Sequence, residues 1–122
     1  MSYASAKGYR GERAVLDLFR DHDRELCGLT GGWYYRPRAG SNRDRGDIGG
    51  LPYVVSVKNC RALALAEWVD ALPAMCESAG LLTGVVVHKR VGQGDPANWY
   101  VTTSVRGFLP FHDAYLAAEL SA

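Results

Sequence analysis

The sequence predicts an α/β fold: a mixed sheet of about five strands flanked by helices, in the order α-β-β-β-α-β-β-α. Three observations carry this. Residues 5–25 repeat apolar side chains at helical spacing. Residues 47–59 join a turn containing Gly49, Gly50 and Pro52 to a β-branched run. Residues 83–88 are a near-continuous apolar run, as a central strand covered on both sides requires. With 122 residues, the chain 1–122 reads as a single domain, long enough to bury a core without covalent staples.

Each element has its own signal. The stripe of the 5–25 helix is Glu12, Val15 and Phe19, continued at helical spacing by Leu26 and widened by Leu16 and Leu18. Gly8 and Gly11 permit close backbone approach there. Residues 27–32 read as a loop, 33–37 as a strand, and 38–45 as a polar loop marked by Gly40, Ser41 and Asn42. Residues 47–58 read as a hairpin, with Tyr53 to Val57 a good strand. Residues 63–79 are expected to be helical, with Trp68, Leu72, Met75 and Ala79 on one face. Pro73 should kink or restart that helix, and Gly80 should stop it. After the 83–88 strand come a turn at 92–96 and a strand at 99–103. A closing helix is expected over 109–120, with Pro110 in its first turn.

Composition narrows the setting. No segment is long and apolar enough to span a membrane, and the N-terminus has no signal-peptide hydrophobic region. Three widely spaced cysteines, Cys27, Cys60 and Cys76, fit reduced thiols and form no zinc motif, so a cytoplasmic protein is expected. Net charge is only +1, but it is unevenly placed. Residues 36–61 hold six basic side chains (Arg36, Arg38, Arg43, Arg45, Lys58, Arg61) against two acids, Asp44 and Asp47. Such a zone suits a phosphate backbone, and it is also how a solvated arginine-rich loop looks. His88, Lys89 and Arg90 end the central strand as a second basic cluster with the same two readings. His22 and His112 read as surface residues. Trp33, Tyr34, Tyr35, Trp68, Trp99 and Tyr100 read as core or dimer contacts rather than base-stacking platforms.

Chemistry concentrates at 47–58. Alternation puts Val54, Ser56 and Lys58 on one face of their strand. Asp47 ends the partner strand, so a carboxylate and a lysine meet at the rim of a sheet. An acid that holds a divalent cation beside a lysine that orients water suits phosphodiester hydrolysis. Glu12 lies in line with an apolar stripe, a costly place for a carboxylate unless it is paired or binds a metal. Its commoner fate is that of an ordinary first-turn glutamate.

The pattern Lys7-Gly8-x-x-x-Glu12-Arg13, Arg36-Pro37-x-Ala39-Gly40-Ser41, Asp47-Ile48 and Ser56-Val57-Lys58 resembles the archaeal-type Holliday junction resolvases. These are PD-(D/E)XK nucleases with a restriction-endonuclease-like core, and small relatives occur in phages. The resemblance runs from Lys7 to about Thr103. It implies a homodimeric endonuclease that cuts branched double-stranded DNA, in a bacterial cytoplasm or in that of a phage's host. It further implies that Glu12 and Asp47 bind Mg²⁺ or Mn²⁺ and that Lys58 activates water. Arg10, Arg36 and Ser41 would contact phosphates near the cut; the two basic zones, read from charge, would add Arg38, Arg43, Arg45, Lys89 and Arg90 as further DNA contacts. One position departs from the family: Ser56 stands where an acid, or sometimes Gln, is usual. Some type II restriction endonucleases of the superfamily also carry Ser-x-Lys, with the acid moved to the following helix. Glu67, nine residues after Lys58, is the candidate for that role. Two other readings stay open: a PD-(D/E)XK nuclease acting on flap or duplex DNA, and a non-catalytic DNA-binding protein that keeps the fold.

Overall fold

A computed structural model describes residues 3–27, 33–37 and 44–122, with side chains from residue 6 onward apart from 25–27. It is an α/β arrangement: a three-stranded mixed sheet flanked by helices. The long helix α1 spans Tyr3–Cys27. Strand β1 is Val54–Lys58, and the helix pair α2 (Leu65–Asp70) and α3 (Leu72–Ala79) follows it. Strand β2 is Gly84–His88, β3 is Tyr100–Thr102, and α4 is Val105–Ser121. The strands lie in the order β1-β2-β3. β1 and β2 run parallel with Val55 opposite Val85, and β3 runs antiparallel to β2 with Val87 opposite Val101.

Alternation along β1 and β2 divides the core in two. Val55, Val57, Val85 and Val87 face Val15 and Leu16 of α1, together with Ile48 and Leu51. Val54 and Val86 face Leu72, Met75 and Cys76 of α3, with Trp68 and Val69 of α2 at the margin. Val55 and Val86 are completely buried, which is why the strands read as continuous apolar runs.

The sheet is smaller than expected. Residues 33–37 and 47–49 are not strands; they meet the sheet through isolated antiparallel bridges, Tyr35 to Gly49 and Ile48 to Val55. Gly46, Gly49, Gly50 and Pro52 explain this, because such residues supply little regular pairing. Gly46 and Gly50 both have φ near +90°, and a Cβ at Gly46 would lie 2.9 Å from Val54 Cγ1.

The 63–79 helix divides at Ala71, with Pro73 in the first turn of α3, and Gly80 caps α3 in the left-handed conformation. The closing helix starts earlier than predicted. Ser104 is its N-cap, accepting from the Gly107 amide, and Pro110 lies inside the helix rather than in its first turn. Cys60 is an exposed free thiol and Cys76 a buried one. No helix among the described residues is long and apolar enough to cross a membrane.

Candidate active site

Glu12 projects from the first half of α1, one turn before Val15 and Leu16, which anchor that helix to the sheet. Its stripe position would bring an unpaired carboxylate toward apolar surroundings. Arg36 answers it: Nε donates to Glu12 Oε2 at 2.9 Å, and Nη2 reaches the same oxygen. The guanidinium also stacks 4.3 Å over the Tyr9 ring. Both side chains are largely covered, so the pair is held more firmly than a surface ion pair. Arg20 fixes the preceding residues by donating to the Tyr34 carbonyl, with Nε at 3.0 Å. The Tyr34 hydroxyl donates to Asp23.

Asp47 stands where its chain segment joins β1. Its amide donates to the Val55 carbonyl at 2.7 Å, and its Oδ2 accepts from the Val57 amide at 2.6 Å. Burial pushes its carboxyl up from the ordinary range to about 6; the Val57 hydrogen bond opposes this, and the charges of Glu12 and Asp44 add to it. Lys58 acts the other way. Glu12 and Lys58 therefore each lie within electrostatic reach of Asp47. A half-buried carboxylate with a second carboxylate acting on it favours whatever brings positive charge there, either a proton or a cation.

Other predicted residues fall elsewhere. Ser56 is 1% exposed. It shares a face with Val54 and Val86, against α2 and α3, so its hydroxyl lies inside the molecule rather than on an open rim. Glu67 is exposed on α2, and it is not among the charges acting on Asp47. Arg10, Arg45 and Arg90 are exposed. Arg38, Ser41 and Arg43 lie outside the described residues. Lys89 sits 5.9 Å over the Trp99 ring. His88 is buried rather than part of a surface basic cluster: Nε2 contacts Thr102 Oγ1 at 2.7 Å, and Trp68 and Tyr100 flank the ring. Burial holds its imidazole below the usual 6.5. Trp68, Trp99 and Tyr34 pack at core margins, whereas Trp33, Tyr35 and Tyr100 are exposed.

No group of three or more His, Cys, Asp or Glu side chains able to hold a metal occurs among the described residues. Glu12 and Asp47 are two carboxylates, the smaller end of what a hard cation such as Mg²⁺ binds while keeping several waters, and Glu12 is already paired with Arg36. Sequence reasoning did not foresee the Arg36–Glu12 pair. Its signal was Glu12's own position in the apolar stripe, which calls for a counter-charge. No protein-family model matches the chain, and no curated protein and no solved structure gives a significant match to it.

Proposed function

We propose that this chain is a divalent-metal-dependent endonuclease that cuts four-way DNA junctions. The observation that supports this most is that Glu12, from α1, and Lys58, from the end of β1, both act on the half-buried Asp47, which is bonded to the Val57 amide. The order and spacing of the resolvase-like motifs add the substrate class. In this reading Glu12 and Asp47 hold Mg²⁺ or Mn²⁺, which when bound supplies a Lewis acid and a water of lowered pKa. Lys58 orients the attacking water and neutralises charge gathering on the phosphate. Arg36, which pairs with Glu12 in the free protein, would be free to contact a phosphate oxygen if a cation neutralised Glu12. Arg10 and Arg45, exposed near these groups in the chain, add backbone contacts together with Arg38, Arg43 and Ser41.

Two copies acting together would cut opposed strands, because a two-fold dimer matches the symmetry of a junction. The exposed apolar side chains of β3 and α4 support such pairing. A cytoplasmic setting follows from the same reading.

A second reading is a non-catalytic DNA-binding protein, favoured by the burial of Ser56 and the two-carboxylate donor set. One experiment separates them. Labelled junction, flap and linear duplex are incubated with the chain and Mg²⁺. Paired nicks in the junction, lost in Asp47→Asn while binding persists, are expected. Binding without Mg²⁺-dependent cleavage on any substrate would establish the second reading, and preferential cutting of flap or duplex would reassign the substrate.

A further inference from the structure

We infer that a second phosphate-binding site lies at the carboxyl ends of β1 and β2, and that it holds a backbone phosphate of bound DNA. This rests on the endonuclease reading and extends it to a cavity in which Lys89 alone was expected to meet DNA. The parallel pair β1 and β2 ends at Lys58 and His88, and the Lys89 amide continues the ladder by donating to the Lys58 carbonyl at 3.0 Å. Beyond these ends lies a cavity of about 190 Å³, lined by Lys7, Asn59, Cys60, Arg61 and Lys89 among others. Ligands of open α/β sheets bind outside the carboxyl ends of the strands.

The cavity is built, not incidental. Asn59 Nδ2 donates to the Lys7 carbonyl at 2.8 Å, which ties the start of α1 to the end of β1. Gly11 makes that approach possible, since a Cβ there would lie 2.8 Å from Asn59 Cβ. Three residues that carry cations, from three chain segments, thus line one hollow, with the Lys89 ammonium 5.9 Å over the Trp99 ring. No carboxylate lines it, and among the described residues none of the three cations has a salt bridge. Like charges gathered without a counter-ion repel one another, and an oxyanion relieves that repulsion. A backbone phosphate supplies the oxygens, with the Asn59 side chain as a neutral neighbour.

Its place relative to the acids selects DNA as the source of that phosphate. Asp47 is bonded to the Val57 amide, and the cavity begins two residues further along the chain, at Asn59. Two residues of extended chain span roughly 7 Å. A strand crossing the sheet end at the acids reaches the cavity within one or two nucleotides.

Cys60 provides the test, because its exposed thiol lines the hollow. Iodoacetamide alkylation of Cys60 is followed by peptide mass spectrometry on the intact chain in EDTA, so that cleavage plays no part. Junction DNA at about ten times its Kd should slow alkylation about tenfold. Lys7→Gln, Arg61→Gln and Lys89→Gln should each weaken junction binding and lower the salt slope by about one. Arg106→Gln, on α4, should alter neither. Unchanged alkylation while DNA binds would overturn the site and leave the endonuclease reading intact. Protection by inorganic phosphate but not by DNA would overturn it in favour of a small phosphorylated ligand. Absence of DNA binding altogether would remove both proposals.

Discussion

Asp47 shows how one side chain's surroundings set its chemistry. Its folded pKa of about 6 lies above the ordinary 3.8, chiefly because burial disfavours the charged form. The folded state therefore binds the extra proton between these values. The stability linked to this group is fully present below about 3.8 and is lost as pH rises through about 6. Asp47→Asn keeps a side-chain oxygen for the Val57 amide but cannot ionise. In EDTA it should be more stable than wild type at pH 7–8, on the order of 2 kcal/mol, and equal to it near pH 3. Thermal melts at both pH values check this. His88, whose pKa is lowered, contributes in the opposite direction and equally to both proteins, so the difference between them isolates Asp47. Adding Mg²⁺ should raise the melting temperature of wild type and not of the variant. A variant less stable than wild type at pH 8 would mean that the ionised carboxylate is not a burden in the fold.

At the scale of elements, the glycines of α1 test how that helix is seated. Gly8 and Gly11 stand one turn apart, and both are weak helix formers. At Gly8 an added Cβ meets nothing within 4 Å, so Gly8→Ala should stabilise the protein by about 0.5–1 kcal/mol. At Gly11 the same methyl meets Asn59 at 2.8 Å, in the packing that joins α1 to β1. Overpacking of about 1–3 kcal/mol outweighs the propensity gain, so Gly11→Ala should lower the melting temperature. Melts of the two variants should diverge in sign; stabilisation by both would show that α1 does not press on Asn59. The sequence made both glycines visible as sites of close approach but could not tell which one has a neighbour. The same limit applies elsewhere. The central strand and the break at Pro73 were legible because an apolar run and a missing amide are local signals. The pairing of 33–37 with 47–49 was not, because its extent depends on glycine-rich tertiary contact. The start of α4 was misplaced because Pro110 drew attention from the better local signal, the Ser104 cap. At the site, Asp47 and Lys58 could be read as neighbours because they flank one turn, whereas the Arg36–Glu12 pair joins residues 24 positions apart.

For the whole molecule, the largest unexplained feature is the amount of apolar surface at its C-terminal side. α4 has no buried residue, although Phe111 packs edge-on against Tyr53. Phe108, Leu109, Tyr115, Leu116 and Leu120 are all exposed, Leu120 at 86%. β3 is an edge strand whose Val101 is also exposed. A helix of this length is about 25 Å long and about 10 Å across, so α4 and β3 together offer several hundred Å². That approaches the roughly 800 Å² per partner of a stable interface. A second copy of the chain is the occupant that the proposed paired incision requires, since each copy brings the same face to a two-fold contact. Light scattering during size-exclusion chromatography should give a dimer for the wild type. Leu116→Glu with Leu120→Glu should give a folded monomer, because neither side chain is buried in the single chain, with the melting temperature lowered only by the lost contribution of the dimer. The monomer should still nick a junction in Mg²⁺, but the two cuts should become uncoupled in time, with the singly nicked species accumulating. A wild-type chain that stays monomeric at about 100 μM, a concentration at which an interface worth even 6 kcal/mol would populate the dimer, would overturn the pairing through this face.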